Sequence, residues 1–204
     1  MSHKHADLED YYEKEARLRK RGRPREARVR LQDEYIGLLK AEGRTAVVDF
    51  GAGPGQDGDR FRAAGFSYVG LDLAHGNGVL AAERDLVTIQ GSITAVPFGP
   101  GSFDAGWSMS TLMHLDEADA ALAASQMIGT LAPGVPFLLG MWGCETEDSL
   151  MQSDGVPGAK RPFHVRTFEH NQAILAAVGD VDRADRWVGA SGDWDYHVLQ
   201  ARAG

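Results

Sequence analysis

Three glycines at alternating positions follow a short apolar run and precede a helical stretch. Val47-Val48-Asp49-Phe50 leads into Gly51-Ala52-Gly53-Pro54-Gly55, and helical residues begin at Gln56. A glycine-rich turn between a strand and a helix lets a ligand approach the backbone, because no Cβ stands in the way. It also directs the N–H groups of the helix N-terminus at that ligand. The sequence therefore predicts a nucleotide-like cofactor at this turn.

An acidic residue follows this turn at the spacing of a ribose-binding acid. Asp72 lies 21 residues after Gly51, near the end of a predicted strand over 68–73. An acid at this place can accept hydrogen bonds from both ribose hydroxyls. The alternative is that the glycines only form a tight turn and Asp72 only caps the next helix. The strand, the turn, the helix and the acid follow one another at the spacing of a binding motif, which favours a binding site.

The spacing of the glycines distinguishes between cofactors. A dinucleotide fold expects G-x-G-x-x-G, whose turn receives a pyrophosphate, whereas this chain has G-x-G-x-G. The Asp49 carboxylate in the same crevice would repel a diphosphate and would suit a ligand with an ammonium group. S-adenosylmethionine has a ribose, an ammonium and a sulfonium but no phosphate. It is therefore the predicted cofactor, and a nicotinamide-dependent dehydrogenase is the less favoured enzyme.

Apolar runs alternate with helical stretches from Thr45 onward. This alternation predicts βαβ units, a parallel sheet and helices on both of its faces. The segment 143–162 has no periodicity and is predicted to be a long irregular loop. The predicted strands are 46–50, 68–73, 86–89, 103–109, 135–142, 183–188 and 196–201, and the predicted helices are 56–64, 77–84, 116–131 and 167–178.

The first 42 residues differ in charge from the rest of the chain. Nine basic and two acidic residues lie between Lys14 and Arg30, a net charge of +7, so the other residues carry −15. Apolar residues at three- and four-residue steps predict a hairpin of two helices, with a turn at Arg21-Gly22-Arg23-Pro24. We therefore divide the chain into a helical arm (1–42) and a cofactor-binding domain (43–204).

The arm has three interpretations. It is a solvated helical hairpin, or a lid in which Tyr11, Tyr12 or an arginine reaches the cofactor, or a site for an anionic acceptor such as RNA. Tyrosines that face the core beside arginines favour the lid.

Composition excludes several classes of protein. The chain has 204 residues and a net charge of −8, with 43% hydrophobic and 25% charged residues, so disordered and fibrous chains are excluded. The excess of acid argues against attraction of the whole molecule to nucleic acid. A single cysteine, Cys144, and the absence of paired metal-ligand motifs predict no disulfide and no metal site. No apolar run is long enough to span a membrane, so we expect a cytoplasmic protein.

The order of motifs resembles the class I S-adenosylmethionine-dependent methyltransferases, in particular the type 11 group that acts on small molecules. The resemblance extends from Thr45 to the end of the chain. It implies a doubly wound, Rossmann-like α/β fold with seven strands in the order 3-2-1-4-5-7-6, strand 7 being antiparallel. Ser92 departs from the family, which often has an acid there. The motifs are 49–55, 70–73, 89–98, 102–108 and 131–139, and the implied cofactor contacts are Asp49, Gly51, Ala52, Gly53, Gly55, Asp72, Leu73, Ser92 and Ile93.

Methyl transfer is an in-line attack on an activated methyl group, so the protein mainly aligns two ligands and excludes water. His114, just after the fourth strand, is the candidate general base, and the alternative is a histidine that packs beneath the site. Trp107 either contacts the cofactor or belongs to the core, and Tyr11 is the candidate cofactor contact on the arm.

The sequence thus predicts a methyltransferase that acts on an O or N nucleophile of a small molecule and releases S-adenosylhomocysteine. The alternatives are an RNA methyltransferase that uses the basic arm and a non-catalytic module that binds the cofactor. No pattern in the sequence defines an oligomeric state.

Overall fold

A seven-stranded sheet forms the centre of the structure. The structure is a computed structural model and describes residues 3–18, 22, 25–152, 155–188 and 195–204. The described strands, in chain order, are β1 (Ala46–Phe50), β2 (Ser67–Asp72), β3 (Thr88–Gln90), β4 (Gly106–Met109), β5 (Pro136–Gly143), β6 (Asp148–Gln152), β7 (Arg161–Val165), β8 (Gly179–Val188) and β9 (Asp195–Ala203). The described helices are α1 (His3–Leu18), α2 (Glu26–Ala41), α3 (Gln56–Ala63), α4 (His75–Ala82), α5 (Glu117–Ile128) and α6 (Phe168–Ala176), with a 3₁₀ turn at Leu112–His114.

The order of strands in the large sheet is β3-β2-β1-β4-β5-β9-β8. Strands β1 to β5 pair in parallel, and β9 runs antiparallel to both β5 and β8. Because β8 and β9 are the sixth and seventh strands of this sheet, the predicted order 3-2-1-4-5-7-6 and its antiparallel last strand are confirmed. The carboxyl ends of β1, β2 and β4 therefore meet at one edge.

Helices cover both faces of the sheet, as successive strand residues require. Val47 packs into a core cluster with residues of α2 and α3, whereas Val48 packs into a cluster with residues of α5 and α6. Leu138 and Leu139 on β5 divide between the same two clusters. Adjacent strand residues point to opposite faces, and both faces are apolar because both are buried.

Several predicted boundaries differ from the structure, and β8, for example, begins at Gly179 rather than at residue 183. The segment 143–162 is not an irregular loop, because β6 and β7 pair into an antiparallel hairpin. The apolar side chains of this hairpin pack against the core beside α5, and its short, largely exposed strand β6 has too little alternation to be recognised in the sequence. Strand β4 begins three residues later than predicted, because the Asp104 carboxylate accepts hydrogen bonds from the backbone N–H groups of Thr45 and Ala46 at 2.9 and 2.7 Å.

The second helix of the arm is built into the core. Leu31, Tyr35 and Leu39 of α2 are buried in the cluster that also holds Trp107. Oη of Tyr35 donates to the carbonyl oxygens of Gly106 and Pro136, at 2.8 Å in each case. The predicted turn residues Arg21, Arg23 and Pro24 lie outside the described residues.

A buried ion pair joins α2 to α3. Nε of Arg28 lies 3.1 and 3.0 Å from the two carboxylate oxygens of Asp57, and Nη2 also contacts this carboxylate. Nε1 of Trp107 donates to Asp57 as well, at 2.7 Å. Burial alone would lower the pKa of Arg28, but the Asp57 charge and hydrogen bonds outweigh it and raise that pKa. Asp57 is only 2% exposed, so it depends on Arg28 for its counter-charge.

Substitution of Arg28 should therefore destabilise the fold. We expect Arg28→Met to lower the free energy of unfolding by about 3 kcal/mol, because it leaves the Asp57 carboxylate buried without a cation. Arg30→Met on the same helix is the matched control, since Arg30 is 66% exposed and lies 3.7 Å from Glu26. The control should change stability by less than about 0.5 kcal/mol. Urea unfolding measures both values, and equal losses would contradict the importance of the buried pair.

Candidate functional site

A cleft opens at the carboxyl edge of the sheet. Its walls come from α1, the turn after β1, the end of β2, the segment after β3 and the segment after β4. Ligands of doubly wound sheets bind at this edge, where the strand order reverses direction, here between β1 and β4. The described residues that line the cleft are His5, Leu8, Tyr12, Gly51, Leu71, Asp72, Leu73, Gly91, Ser92, Ile93, Ser110, Thr111, His114 and Leu115.

The glycine-rich turn forms the floor of this cleft. Gly51, Gly53 and Gly55 have φ values of +76°, +56° and +80°, a region that disfavours residues with a Cβ. A Cβ on Gly51 would also lie 2.1 Å from Oγ1 of Thr111. The turn therefore requires glycine for its conformation and for the close approach of Thr111.

Asp72 connects this turn to the end of β2. Its Oδ2 accepts from the Gly53 N–H at 2.7 Å, and its Oδ1 accepts from the Ala74 N–H at 2.9 Å and from Nδ2 of Asn77 at 3.0 Å. The carboxylate is 8% exposed and lines the cleft. A carboxylate can accept about four hydrogen bonds, so it keeps capacity for a ligand hydroxyl. These residues fit a ribose beside the glycine turn.

Three more of the implied cofactor contacts line the cleft: Leu73, Ser92 and Ile93, together with Gly91. Oγ of Ser92 lies 2.8 Å from Oγ1 of Thr94 and accepts from the Thr94 N–H, so this hydroxyl shapes its own loop. Leu73 and Ile93 give this part of the cleft an apolar lining.

Asp49 lies beneath the turn rather than in the wall of the cleft. It is 1% exposed, and its Oδ2 accepts from Oη of Tyr68 at 2.9 Å. Burial, together with the nearby Asp57 charge, raises the pKa of Asp49 to about 8. Ala52 is likewise buried, and the N–H groups of Gly51 and Ala52 both donate to the Leu71 carbonyl oxygen. Asp49, Ala52, Gly53 and Gly55 thus support the turn from below or within.

Trp107 and Tyr11 lie in the core, and neither is among the described residues that line the cleft. Trp107 is fully buried against Tyr35 and Phe61, because its place on β4 faces the helices α2 and α3. The sequence left open whether Trp107 contacts the cofactor or belongs to the core, and in the structure it lies in the core. Tyr11 is fully buried with Val156, and the adjacent Tyr12 faces the cleft instead. Neighbouring helix residues point about 100° apart, so a one-residue difference decides which tyrosine reaches a ligand.

His114 stands in the cleft wall within a chain of hydrogen bonds. Its Nδ1 lies 2.7 Å from the Pro162 carbonyl oxygen, which can only accept, so Nδ1 carries a proton. In the neutral ring Nε2 is then an acceptor, and Oη of Tyr12 donates to it at 2.8 Å. Nη1 of Arg161 donates to the same Oη at 2.6 Å. The arrangement places a phenol and an imidazole side by side at the surface of the cleft.

From the sequence we expect the segment after β4, residues 108–115, to line the crevice, and Ser110 does lie in its wall. Ser110 has a φ of +59°, which is strained for a residue with a side chain, and its N–H donates to the Gly140 carbonyl oxygen at 2.6 Å. Strain of this kind concentrates at functional sites. Arg161 was not predicted from the sequence, because it lies 149 residues after its partner Tyr12. The sequence contains no signal for a backbone angle or for such a distant pair.

Two further properties bear on the class of site. Within the described part of the chain, no group of three or more His, Cys, Asp or Glu side chains could hold a metal ion. Among the same described residues, no helix is long and apolar enough to cross a bilayer.

Comparisons with known proteins agree with this geometry. Residues 47–134 match the family model described as "Methyltransferase domain". The chain is 30% identical over 95 residues to the 18S rRNA (guanine-N(7))-methyltransferase bud23 of Schizosaccharomyces pombe, covering 44% of this chain and 35% of that protein. It is 32% identical over 107 residues to demethylmenaquinone methyltransferase of Renibacterium salmoninarum, covering 52% of this chain and 43% of that protein. The chain thus spans less than half the length of these curated relatives.

Solved structures share the whole architecture. The 1,6-didemethyltoxoflavin-N1-methyltransferase of Burkholderia thailandensis, solved with S-adenosylhomocysteine, superposes with a TM-score of 0.73 at 18% identity. The superposition covers 100% of this chain and 91% of that one. The strand order and cleft define a class I methyltransferase fold. Residues 47–134 are thus similar to the methyltransferase-domain family, and the chain has the fold of the class I S-adenosylmethionine-dependent methyltransferases. S-adenosylmethionine is the cofactor of that class.

Replacement of Gly51 should weaken binding of this cofactor. We expect Gly51→Ala to lower the affinity for S-adenosylhomocysteine at least tenfold, because the new Cβ would displace Thr111 from the cleft wall. Gly43→Ala is the matched control: it has a similar φ of +68° but no atom within 4 Å of an added Cβ. Both variants carry the same backbone strain of about 1 kcal/mol. Titration calorimetry on the two variants separates the effect of backbone strain from that of the clash with Thr111. Equal affinities of the two variants for S-adenosylhomocysteine would show that the clash has no role.

Proposed function

We propose that the chain transfers a methyl group from S-adenosylmethionine to an O or N nucleophile of a small molecule. The observation that carries this proposal is the convergence of Asp72, the glycine turn and the Tyr12–His114 pair on one cleft. Asp72 can accept a hydrogen bond from a ribose, and Gly51 lets a nucleoside approach the backbone. The Tyr12–His114 pair can accept a proton from a nucleophile.

The residues of the cleft divide into those that hold the cofactor and those that handle a proton. Asp72 would accept from a ribose hydroxyl with its remaining acceptor site, while Leu73, Ser92 and Ile93 would surround the adenine. Asp49 has a pKa raised to about 8, so it is largely neutral near pH 7 and would not hold the ammonium group by charge. When bound, the cofactor supplies a methyl group on a cationic sulfur.

Tyr12 and His114 can remove a proton from an acceptor. Oη of Tyr12 can take that proton while its own proton moves to Nε2 of His114, along the hydrogen bond that already joins them. The resulting imidazolium keeps its Nδ1–H bond to the Pro162 carbonyl oxygen. Arg161 donates to the phenol oxygen and would stabilise negative charge on it during transfer. Helix α1 would also exclude water, because His5, Leu8 and Tyr12 close one side of the cleft.

An RNA acceptor is the second candidate, since one relative is an rRNA methyltransferase and the arm is basic. Two of the described basic side chains of the arm have local partners instead. Arg28 contacts the buried Asp57, and Nζ of Lys14 binds Asp10 and the Gly158 carbonyl oxygen. These pairings reduce the charge available for phosphates and favour the small-molecule acceptor.

Calorimetry with S-adenosylmethionine and S-adenosylhomocysteine tests the proposed cofactor site. We expect both to bind the wild type, and Asp72→Ala to bind at least about tenfold more weakly, because a charge-assisted hydrogen bond to a ribose hydroxyl is lost. Asp180→Ala, an exposed acid on β8, is the control with the same change of charge. If the wild type binds neither compound, or if Asp72→Ala binds as the wild type does, the proposal is wrong.

The proton-transfer role is tested separately with an acceptor that the wild type methylates. Tyr12→Phe should lower kcat by about 10²-fold, the size of a general acid–base contribution, and should leave the Kd of S-adenosylhomocysteine within about threefold. Tyr11→Phe is the control, because Tyr11 is the adjacent tyrosine and packs in the core. An unchanged kcat in Tyr12→Phe would mean that the acceptor needs no base at this position.

A further inference from the structure

A second cavity adjoins the cofactor cleft. The two share His5, His114 and Leu115, so His114 stands in the wall between them. The second cavity lies among α1, the first turn of α5 and the β6–β7 hairpin. A molecule in it would be next to the Tyr12–His114 pair, as a methyl acceptor must be.

The charged groups that line this cavity are mostly acidic. Asp7 of α1 and Asp116 and Asp119 at the start of α5 are in its wall, and its described lining residues include no lysine or arginine. The N-terminus of α5 contributes roughly half a positive charge, which Asp116 already caps by accepting from the Asp119 N–H. Nε2 of His5 lies 3.4 Å from Oδ2 of Asp119, His164 also lines the cavity, and the nearby Arg166 interacts with Asp116. The three carboxylates still outnumber the one permanent cation among these groups, which is Arg166. The net field in the cavity therefore favours a cation.

The opposite wall of the cavity is apolar. Leu150 and Met151 of β6 and Pro162 of β7 line it. Met151 is 48% exposed, although it is a large hydrophobic residue on a strand that packs against the core. An apolar ligand surface would cover part of it, and methionine adapts to varied shapes.

We infer that the second cavity binds the methyl acceptor and that this acceptor is an amine with an apolar body. The inference rests on the proposed function and names the substrate class of the same site. The ammonium group would face the carboxylates of Asp7, Asp116 and Asp119, and the apolar body would lie against Leu150 and Met151.

This charge arrangement also explains why a base is needed. An ammonium nitrogen has no free electron pair, so it must lose one proton before it can attack a methyl group. The Tyr12–His114 pair is placed to accept that proton, with Oη of Tyr12 as the receiving atom and Nε2 of His114 as its final site. An alcohol or a carboxylate acceptor would gain nothing from the three acids.

Binding to the S-adenosylhomocysteine complex tests the inference without turnover. The probes are phenethylamine, tryptamine and hexylamine, compared with the carboxylates 3-phenylpropionate, indole-3-propionate and heptanoate. We expect at least one amine to bind at least tenfold more tightly than its matched carboxylate, as measured by calorimetry. Equal or tighter binding of the carboxylates, or no binding by any amine, would overturn the inference.

A charge reversal on α1 identifies the cavity as the binding site. Asp7→Lys should weaken binding of the best amine about tenfold, because a change of two charges within several ångströms alters the free energy by about 1.4 kcal/mol. Asp10→Lys is the control with the same charge change on the same helix, since Asp10 pairs with Lys14 and is not a described lining residue. Equal effects of the two substitutions would also overturn the inference.

The two proposals fail in different ways. If S-adenosylhomocysteine does not bind, the proposed function is wrong and the inference falls with it. If S-adenosylhomocysteine binds and only neutral or anionic acceptors are methylated, the function stands and the amine acceptor is wrong.

Discussion

The hydrogen bonds of the Asp72 carboxylate connect the parts of the cofactor cleft. One oxygen accepts from the Gly53 N–H in the glycine turn, and the other accepts from Ala74 and Asn77 at the start of α4. The glycine turn after β1 and the turn from β2 into α4 are thereby held at a fixed separation at the edge of the sheet. The turn itself can approach β2 and Thr111 only because Gly51 has no Cβ. A cofactor would enter a cleft whose floor is already in place, so little ordering would accompany its binding.

The same edge depends on the packing beneath it. Asp57, in the first turn of α3, receives hydrogen bonds from Arg28 of α2 and from Trp107 of β4. This buried group joins the arm, the sheet and the helix that follows the glycine turn. Arg28, which the charge count assigned to a basic surface, is a structural residue. The arm is therefore divided in role, with α2 in the core and α1 across the cleft.

The Tyr12–His114 pair combines residues from opposite ends of the fold. His114 follows β4, and the β6–β7 hairpin fixes it through the Pro162 carbonyl oxygen, while Arg161 of that hairpin contacts Tyr12 of α1. The hairpin thus sets the proton arrangement of the imidazole and forms a wall of the second cavity. The two cavities and the Tyr12–His114 pair are contiguous because the hairpin packs on the 3₁₀ turn that carries His114.

The strand order followed from the resemblance to a family. Local sequence by itself determined the alternation of strands and helices, the glycine turn and its acid. Each of these depends on residues close together in the chain: Gly51 to Gly55 in a single turn, and Asp72 at the end of the next strand. Tertiary structure decided which side chains line the cleft. Tyr12 rather than Tyr11 reaches the cleft, Trp107 turns into the core, and Arg161 contacts Tyr12. These outcomes depend on helix rotation, strand face and contacts across as many as 149 residues, which no local pattern encodes.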